Sequence, residues 1–255
     1  MKMDILVGYT GFVGGNLIKQ HKFDKLYNST NIKEAYGTKP DLLVYAGVTA
    51  AMYIANQDPQ KDFAIIEEAI HNIKRINPKK LVLISTVAVY DNLTEVDEDW
   101  DINPSKLPAY GKNRLFLEKW VQGNIEDYLI IRLPAIYGEG LKKNFIYDYI
   151  HLIPNMLKDN IYEKLTIKNP RLNDFYIKLE NNFYKCKEIE QNERVYLKNY
   201  FKNCGFNALN FTDSRSIYQF YNLSHLWNHI TIALKNEISL LNITVEPIEI
   251  SELYY

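Results

Sequence analysis

Three glycines at positions 8, 11 and 14, within "GYTGFVGGNL", follow directly on the apolar run "DILV". The spacing G-x-x-G-x-x-G suits a turn that carries no side chain where the chain reverses, where a backbone approaches a pyrophosphate, or where the next helix packs on the strand. The start of that helix offers free N–H groups and a positive dipole end to an anion. Gly8, Thr10, Gly11, Phe12, Val13 and Gly14 are therefore the expected phosphate cradle of a dinucleotide. An acidic residue about twenty positions further on would grip the adenine ribose. Asn28 stands there instead, in "KLYNSTN", and Lys33 follows as a partner for a 2′-phosphate. Both NAD and NADP stay open as cofactors.

The surrounding elements agree with that placement. Residues 4–8, 23–28, 40–47, 79–90 and 128–133 read as strands, and residues 12–21, 59–76 and 108–122 as helices. Phe12, Val13, Leu17 and Ile18 share one face of the first helix, and Pro59 opens the second. Strands alternating with helices predict an α/β fold, a Rossmann-like doubly wound parallel sheet with helices on both faces. In such sheets ligands bind beyond the carboxyl ends of the strands. The informative residues cluster there, at 8–14, 46–49, 85–86 and 134–136. The later chain changes character. Residues 142–204 read as helix-prone and rich in charge and tyrosine. "FNALNF" and "SIYQFY" read as short strands, "NLSHLWNHITIALKN" as a helix with Asn222 at its N-cap, and "SLLNITVEP" as a last strand before another helix begins.

Composition narrows the function classes. A formal net charge of −1 gives no electrostatic case for nucleic acid or an anionic membrane surface. The apolar start is too short for a signal peptide and no stretch spans a bilayer, so a cytoplasmic protein is expected. Cys186 and Cys204 make no disulfide framework, and His151, His225 and His229 lack metal-ligand spacing, so no metal is expected.

Five segments stand in order: "TGFVGGNL", "YAGVTA", "ISTVAVY", "YGKNR" and "RLPAIYGEG". Together they resemble the extended short-chain dehydrogenase/reductase family, the nucleotide-sugar epimerases, dehydratases and reductases. The likeness covers about residues 4–140 and returns weakly at "SIYQFYNLSHLWNHITIAL". It implies that Tyr110 is the acid/base that exchanges a proton with a sugar hydroxyl or carbonyl, and that Thr86, with Ser85 beside it, hydrogen-bonds the reacting oxygen. It implies that Ala46, Gly47 and Val48 pass close to the cofactor, and that Pro134, Ala135 and Ile136 pack on its nicotinamide.

The family's Y-x-x-x-K is Y-x-x-x-R here. Arg114 lies four residues after Tyr110, on the same helix face, whereas Lys112 faces away. Arg114 is expected to hold ribose hydroxyls and to lower the phenol pKa by its charge. It gives up no proton in this range, so a relay through a lysine amine is lost. Val87 and Ala88 stand where the family's dehydratases carry an Asp-Glu pair, which disfavours elimination of water.

The resemblance implies a substrate-covering lobe in residues 141–207 and 244–255, and a dinucleotide-binding domain in residues 1–140, completed by about 208–243. Thr49, Ser85, Asn144, Arg171 and Arg215 are the substrate-contact candidates, with aromatic rings available to stack on a base and cations to hold a diphosphate. The expected activity is NAD(P)-dependent epimerisation or keto-reduction of a nucleotide-linked sugar, in surface-polysaccharide or sugar-nucleotide biosynthesis. The alternative is a catalytically impaired dinucleotide-binding protein with a regulatory or assembly role. Family precedent adds a homodimer through the helices near 59–76 and 108–122.

Overall fold

The computed structural model describes residues 2–179 and 182–254. It divides into two compact units, Met1–Gly140 with Ile217–Ile248, and Leu141–Ser216 with Glu249–Tyr255.

The first unit is built on a six-stranded sheet. Its strands are β1 (Asp4–Val7), β2 (Lys25–Tyr27), β3 (Leu42–Tyr45), β4 (Lys80–Thr86), β5 (Tyr128–Leu133) and β12 (Leu240–Asn242). They lie in the order β12-β5-β4-β3-β1-β2, every pair parallel. The register sets Ile5 beside Leu43, Leu43 beside Leu81, and Leu83 beside Ile130. Alternate residues feed two separate cores. Ile5, Leu43, Leu81 and Ile130 pack on one face with Ile66 and Ile73 of α3 (Pro59–Ile76) and Leu117 and Val121 of α4 (Ala109–Asn124). Leu6, Val44, Val82 and Ile131 pack on the other with Leu17 of α1 (Phe12–Leu17) and Leu226 and Ile230 of α8 (Leu226–Lys235). Each fully buried Leu or Ile contributes about 1.5–3 kcal/mol, so these two layers are the main stabilising term of the unit.

The doubly wound parallel sheet expected from the sequence is therefore present. The chain winds outward from β1 to β2 in one direction, and to β3, β4 and β5 in the other. The reversal falls between β1 and β3, and in open parallel sheets a ligand crevice lies beyond the strand ends at that point.

Several local readings need correction. The run 79–90 is not one strand: β4 ends at Thr86, whose side chain caps a 3-10 turn at Val87–Val89. The first helix stops at Leu17 rather than at residue 21. A helix unforeseen in the sequence, α2 (Met52–Gln57), precedes α3. "FNALNF" holds a 3-10 turn, Ala208–Phe211, because Asn207 and Asn210 cap it reciprocally. Asn222 caps a 3-10 turn, Leu223–His225, which leads into α8 rather than starting it. "SLLNITVEP" is a strand only over Leu240–Asn242, and the short β13 (Ile248–Glu249) and a 3-10 turn, Ile250–Tyr254, follow it.

The second unit contains α5 (Phe145–His151), α6 (Asp159–Lys168) and α7 (Gln191–Asn203). It also holds an antiparallel sheet where only helix-prone sequence was read: β7 (Met156–Lys158), β8 (Tyr176–Lys178) and β9 (Phe183–Cys186), in the order β7-β9-β8. Its own core gathers Leu157, Tyr162, Leu172, Phe175, Leu197 and Phe201. Elsewhere β6 (Ala135–Tyr137) pairs with β11 (Phe220–Asn222), and β10 (Ile217–Tyr218) with β13.

Candidate active site

The glycine turn lies at the β1/β3 reversal. Gly8 has φ +93°, a conformation that L side chains rarely adopt, and a Cβ there would stand 2.5 Å from the Ala46 carbonyl oxygen. A Cβ on Gly14 would stand 2.2 Å from the Gly8 carbonyl oxygen. The Gly11 amide donates to that same oxygen at 2.9 Å, and the Gly8 amide donates to Tyr27 at the end of β2 at 2.7 Å. Backbone thus packs on backbone at 8, 14 and 46, leaving a bare loop at the strand ends. No side chain caps α1. Thr10 and Gly11 are exposed, while Phe12 and Val13 pack on the core beneath. A dinucleotide pyrophosphate fits such a cradle, because its oxygens can approach main-chain N–H groups without meeting a side chain.

Asn28 sits directly after β2. Its carboxamide oxygen accepts from the Thr30 amide at 2.9 Å and the Thr30 hydroxyl at 2.6 Å, and its own amide donates to Asn31 at 2.8 Å. It shapes a turn of small polar groups, with Lys33 exposed on the 3-10 turn that follows. Beyond β3, Gly47 and Thr49 are exposed and Ala46 and Val48 half-buried. Pro134 divides β5 from β6. Ala135 and Ile136 belong to β6, where Ile136 pairs with Tyr221.

Thr86 ends β4, and its hydroxyl oxygen accepts from the Ala88 amide at 3.1 Å, so its O–H is free to donate. Tyr110 lies in the first turn of α4, and its amide donates to the Asn56 side chain at 3.0 Å. Gly111 then makes the closest approach of all: a Cβ there would stand 2.1 Å from the Ala88 carbonyl oxygen. The start of α4 is thereby pressed onto the turn that leaves Thr86, which brings the segments of Thr86 and Tyr110 together. Ser85 is occupied differently, since its hydroxyl donates to Glu118 inside the protein.

Arg114 is 4 % exposed, and its guanidinium lies over the Tyr110 ring, 4.0 Å from the centroid. One terminal nitrogen pairs with Asp62 and the other donates to the Thr49 carbonyl at 2.6 Å. The guanidinium is thus held by the protein itself rather than presented to a ligand. Burial is the strongest influence on the phenol and pushes its pKa above 10; Arg114 pulls the other way and Asp62 pushes up. The net shift is upward, whereas the charge of Arg114 alone was expected to lower it.

Asn144, Arg171 and Arg215 belong to the second unit, each with local partners. Asn144 caps α5 by accepting from the Tyr147 amide at 3.1 Å. Arg171 stacks over Tyr196 at 4.2 Å, and Arg215 pairs with Asp213 at 2.6 Å.

Sequence reading missed Asp62 and the buried pair Glu118–Arg132. A signal existed for each. Asp62 stands on the apolar stripe of its helix with Ile66, Ala69 and Ile73, and Glu118 continues the Tyr110–Arg114 face one turn on. A charge on a buried stripe calls for a partner.

No helix among the described residues is long and apolar enough to cross a membrane. No curated protein matches the chain. The sequence model of the RmlD substrate binding domain family matches residues 3–158. Among solved structures, a hypothetical dTDP-4-dehydrorhamnose reductase from Sulfolobus tokodaii is 18% identical, with a TM-score of 0.60 over 98% of this chain and 79% of that one. A GDP-mannoheptose C4 reductase from Campylobacter jejuni with NADP bound is 15% identical, with a TM-score of 0.61 over 99% and 83%. A UDP-N-acetylglucosamine 4-epimerase from Methanobrevibacter ruminantium, in complex with UDP-N-acetylmuramic acid, is 12% identical, with a TM-score of 0.60 over 99% and 79%. At these identities the likeness is one of fold.

Proposed function

Because the chain belongs to the RmlD substrate binding domain family, we propose that it is an NAD(P)-dependent keto-reductase or epimerase of a nucleotide-linked sugar. The observation that carries this reading is the pairing of two strand-end features in one unit. One is a loop of bare backbone at the sheet reversal; the other is a buried phenol in the first turn of α4, next to Gly111, whose backbone packs against the turn that leaves β4. The reductases and epimerase of the same fold support it.

When bound, the dinucleotide supplies a hydride donor or acceptor. The chain's own residues do the rest. Main-chain N–H groups at 12–14 hold the pyrophosphate beside the bare Gly11, and Asn28 with Lys33 borders the adenosine end. The Tyr110 hydroxyl, kept protonated by burial, donates to the sugar oxygen as a carbonyl is reduced and takes the proton back in the reverse direction. The Thr86 O–H donates a hydrogen bond to the same oxygen. Thr49 borders the reacting end, and Asn144, Arg171 and Arg215 are the proposed contacts to the nucleotide portion. Val87 and Ala88 offer no carboxylate for elimination, so reduction and epimerisation are the two reactions proposed. Substrates of this kind place the protein in sugar-nucleotide or surface-polysaccharide synthesis, in the cytoplasm. A homodimer through α3 and α4 belongs to the same reading; light scattering of the purified protein tests it.

The enzymatic test mixes the protein with a panel of keto-sugar nucleotides and NADPH or NADH, and with hydroxy-sugar nucleotides and NAD⁺ or NADP⁺, wild type beside Tyr110→Phe. Loss of nicotinamide absorbance marks reduction, and interconversion of stereoisomers without net loss marks epimerisation. The variant is expected to be slower by about 10²–10⁴-fold. Identical traces for the two proteins overturn the proposal.

A further inference from the structure

Asp62, near the start of α3, is 6 % exposed and accepts from two donors on α4, the Arg114 guanidinium and the Asn113 side-chain amide, the latter at 2.8 Å. Asn113 is tied back to the Pro59 carbonyl at 3.2 Å. Arg114 in turn bridges to the Thr49 carbonyl beyond β3 and covers the Tyr110 ring. A buried carboxylate, a buried guanidinium and a buried phenol therefore form one chain of contacts across three segments.

We propose that Asp62 is a positioning residue of this site: the counter-ion that holds the Arg114 guanidinium over Tyr110 and balances its charge. This rests on the reading of Tyr110 as the acid/base group. An arginine is a larger, permanently charged neighbour for a phenol than a lysine amine. Left alone over the ring, it would favour the phenolate and draw the ionisation of the phenol downward. Asp62 turns that single positive charge into a neutral pair. The charged groups that bear on the phenol are Arg114 on its own helix and Asp62 from α3. The turn Val87–Val89, the helix α2 and the segment 46–51 contain no charged residue. Glu118, farther along α4, and Arg132 of β5 neutralise each other. Asp62 thus sets the charge that the phenol meets, without touching substrate or cofactor.

The test reads the phenol directly and needs no substrate. Tyrosines are replaced by 3,5-difluorotyrosine, which brings phenol ionisation towards neutral pH, and the Tyr110 fluorine signal is assigned by its loss in Tyr110→Phe. Asp62→Asn is expected to lower the Tyr110 midpoint by about one pH unit. Asp62→Glu, which keeps the charge, restores most of the wild-type value. Where Asp62→Asn alone fails to fold, Arg114→Gln/Asp62→Asn is compared with Arg114→Gln, and the midpoint is again lower in the variant that lacks the carboxylate. Unmoved midpoints on loss of the carboxylate overturn the inference. A shift without turnover of any keto-sugar nucleotide leaves Asp62 in its role and removes the enzymatic reading; turnover without a shift does the reverse.

Discussion

Glu118 of α4 and Arg132 of β5 meet inside the protein, with Nη2 to Oε2 at 2.7 Å and both side chains almost fully shielded from water. The pair is not isolated. Ser85 donates to the same carboxylate, and the Arg132 guanidinium donates to the Tyr90 hydroxyl at 2.6 Å and lies over its ring. The network ties β4, β5 and α4 together directly beneath the Thr86 and Tyr110 segments. Removing one charge leaves the other buried without a counter-ion, so Glu118→Ala is expected to cost about 3–5 kcal/mol in urea unfolding. Replacing both with apolar residues, Glu118→Leu with Arg132→Met, is expected to cost far less than the two single changes summed.

The glycine turn yields a sharp contrast between neighbours. A Cβ on Gly14 meets the Gly8 carbonyl oxygen at 2.2 Å, whereas one on Gly15 meets its nearest atom at an ordinary 3.7 Å. Gly14→Ala is expected to shift the turn and weaken dinucleotide uptake at least about tenfold, while Gly15→Ala binds as wild type. Gly8→Ala adds a strained positive φ and loses more than about 1 kcal/mol of stability. Isothermal titration with NADPH and NADH, beside urea unfolding, checks all three.

Asp148 in α5 carries a pH-dependent penalty. Burial raises its pKa from the ordinary 3.8 to about 6. A group raised in the folded state stabilises the fold below its unfolded value and loses that contribution as pH rises through the folded one. At pH 7 the ionised carboxylate therefore weighs against folding. Asp148→Asn is expected to gain about 1 kcal/mol at pH 7, after allowance for solvent screening, and almost nothing at pH 3.5. Unfolding curves at the two pH values measure it.

Tyr45, at the end of β3, gives the alkaline counterpart. Burial pushes its pKa up to about 12, while the Asn72 amide, donating at 3.3 Å, pulls it back. The same sign argument holds: stability is intact below pH 10 and falls as pH rises through about 12. Tyr45→Phe removes one titrating group and is expected to lessen that fall by about 2–3 kcal/mol, read from unfolding between pH 9 and 12.

The two halves of the chain were unequally legible. Strands β1, β3, β4 and β5 are buried on both faces and read as unbroken apolar runs, and the glycine triplet marks where the first one turns. The antiparallel strands of the second unit gave no such signal. β8 is Tyr-Ile-Lys with two exposed residues, and β9 mixes Phe, Tyr, Lys and Cys, so neither alternation nor an apolar run stands out. At the site, Tyr110 and Arg114 could be paired by their spacing along one helix. Asp62 could not, because its contact with Arg114 spans 52 positions and depends on how α3 packs against α4.

β12 pairs with β5 although more than a hundred residues, including the whole helical and antiparallel insert, lie between them in the chain. During synthesis, therefore, the N-terminal 140 residues leave the ribosome with the backbone groups along one side of β5 still open. That side closes only when Leu240–Asn242 emerges, after all of the chain between the two strands. Until then the nascent chain presents a bare sheet margin to other chains, and chaperone demand should peak in that interval.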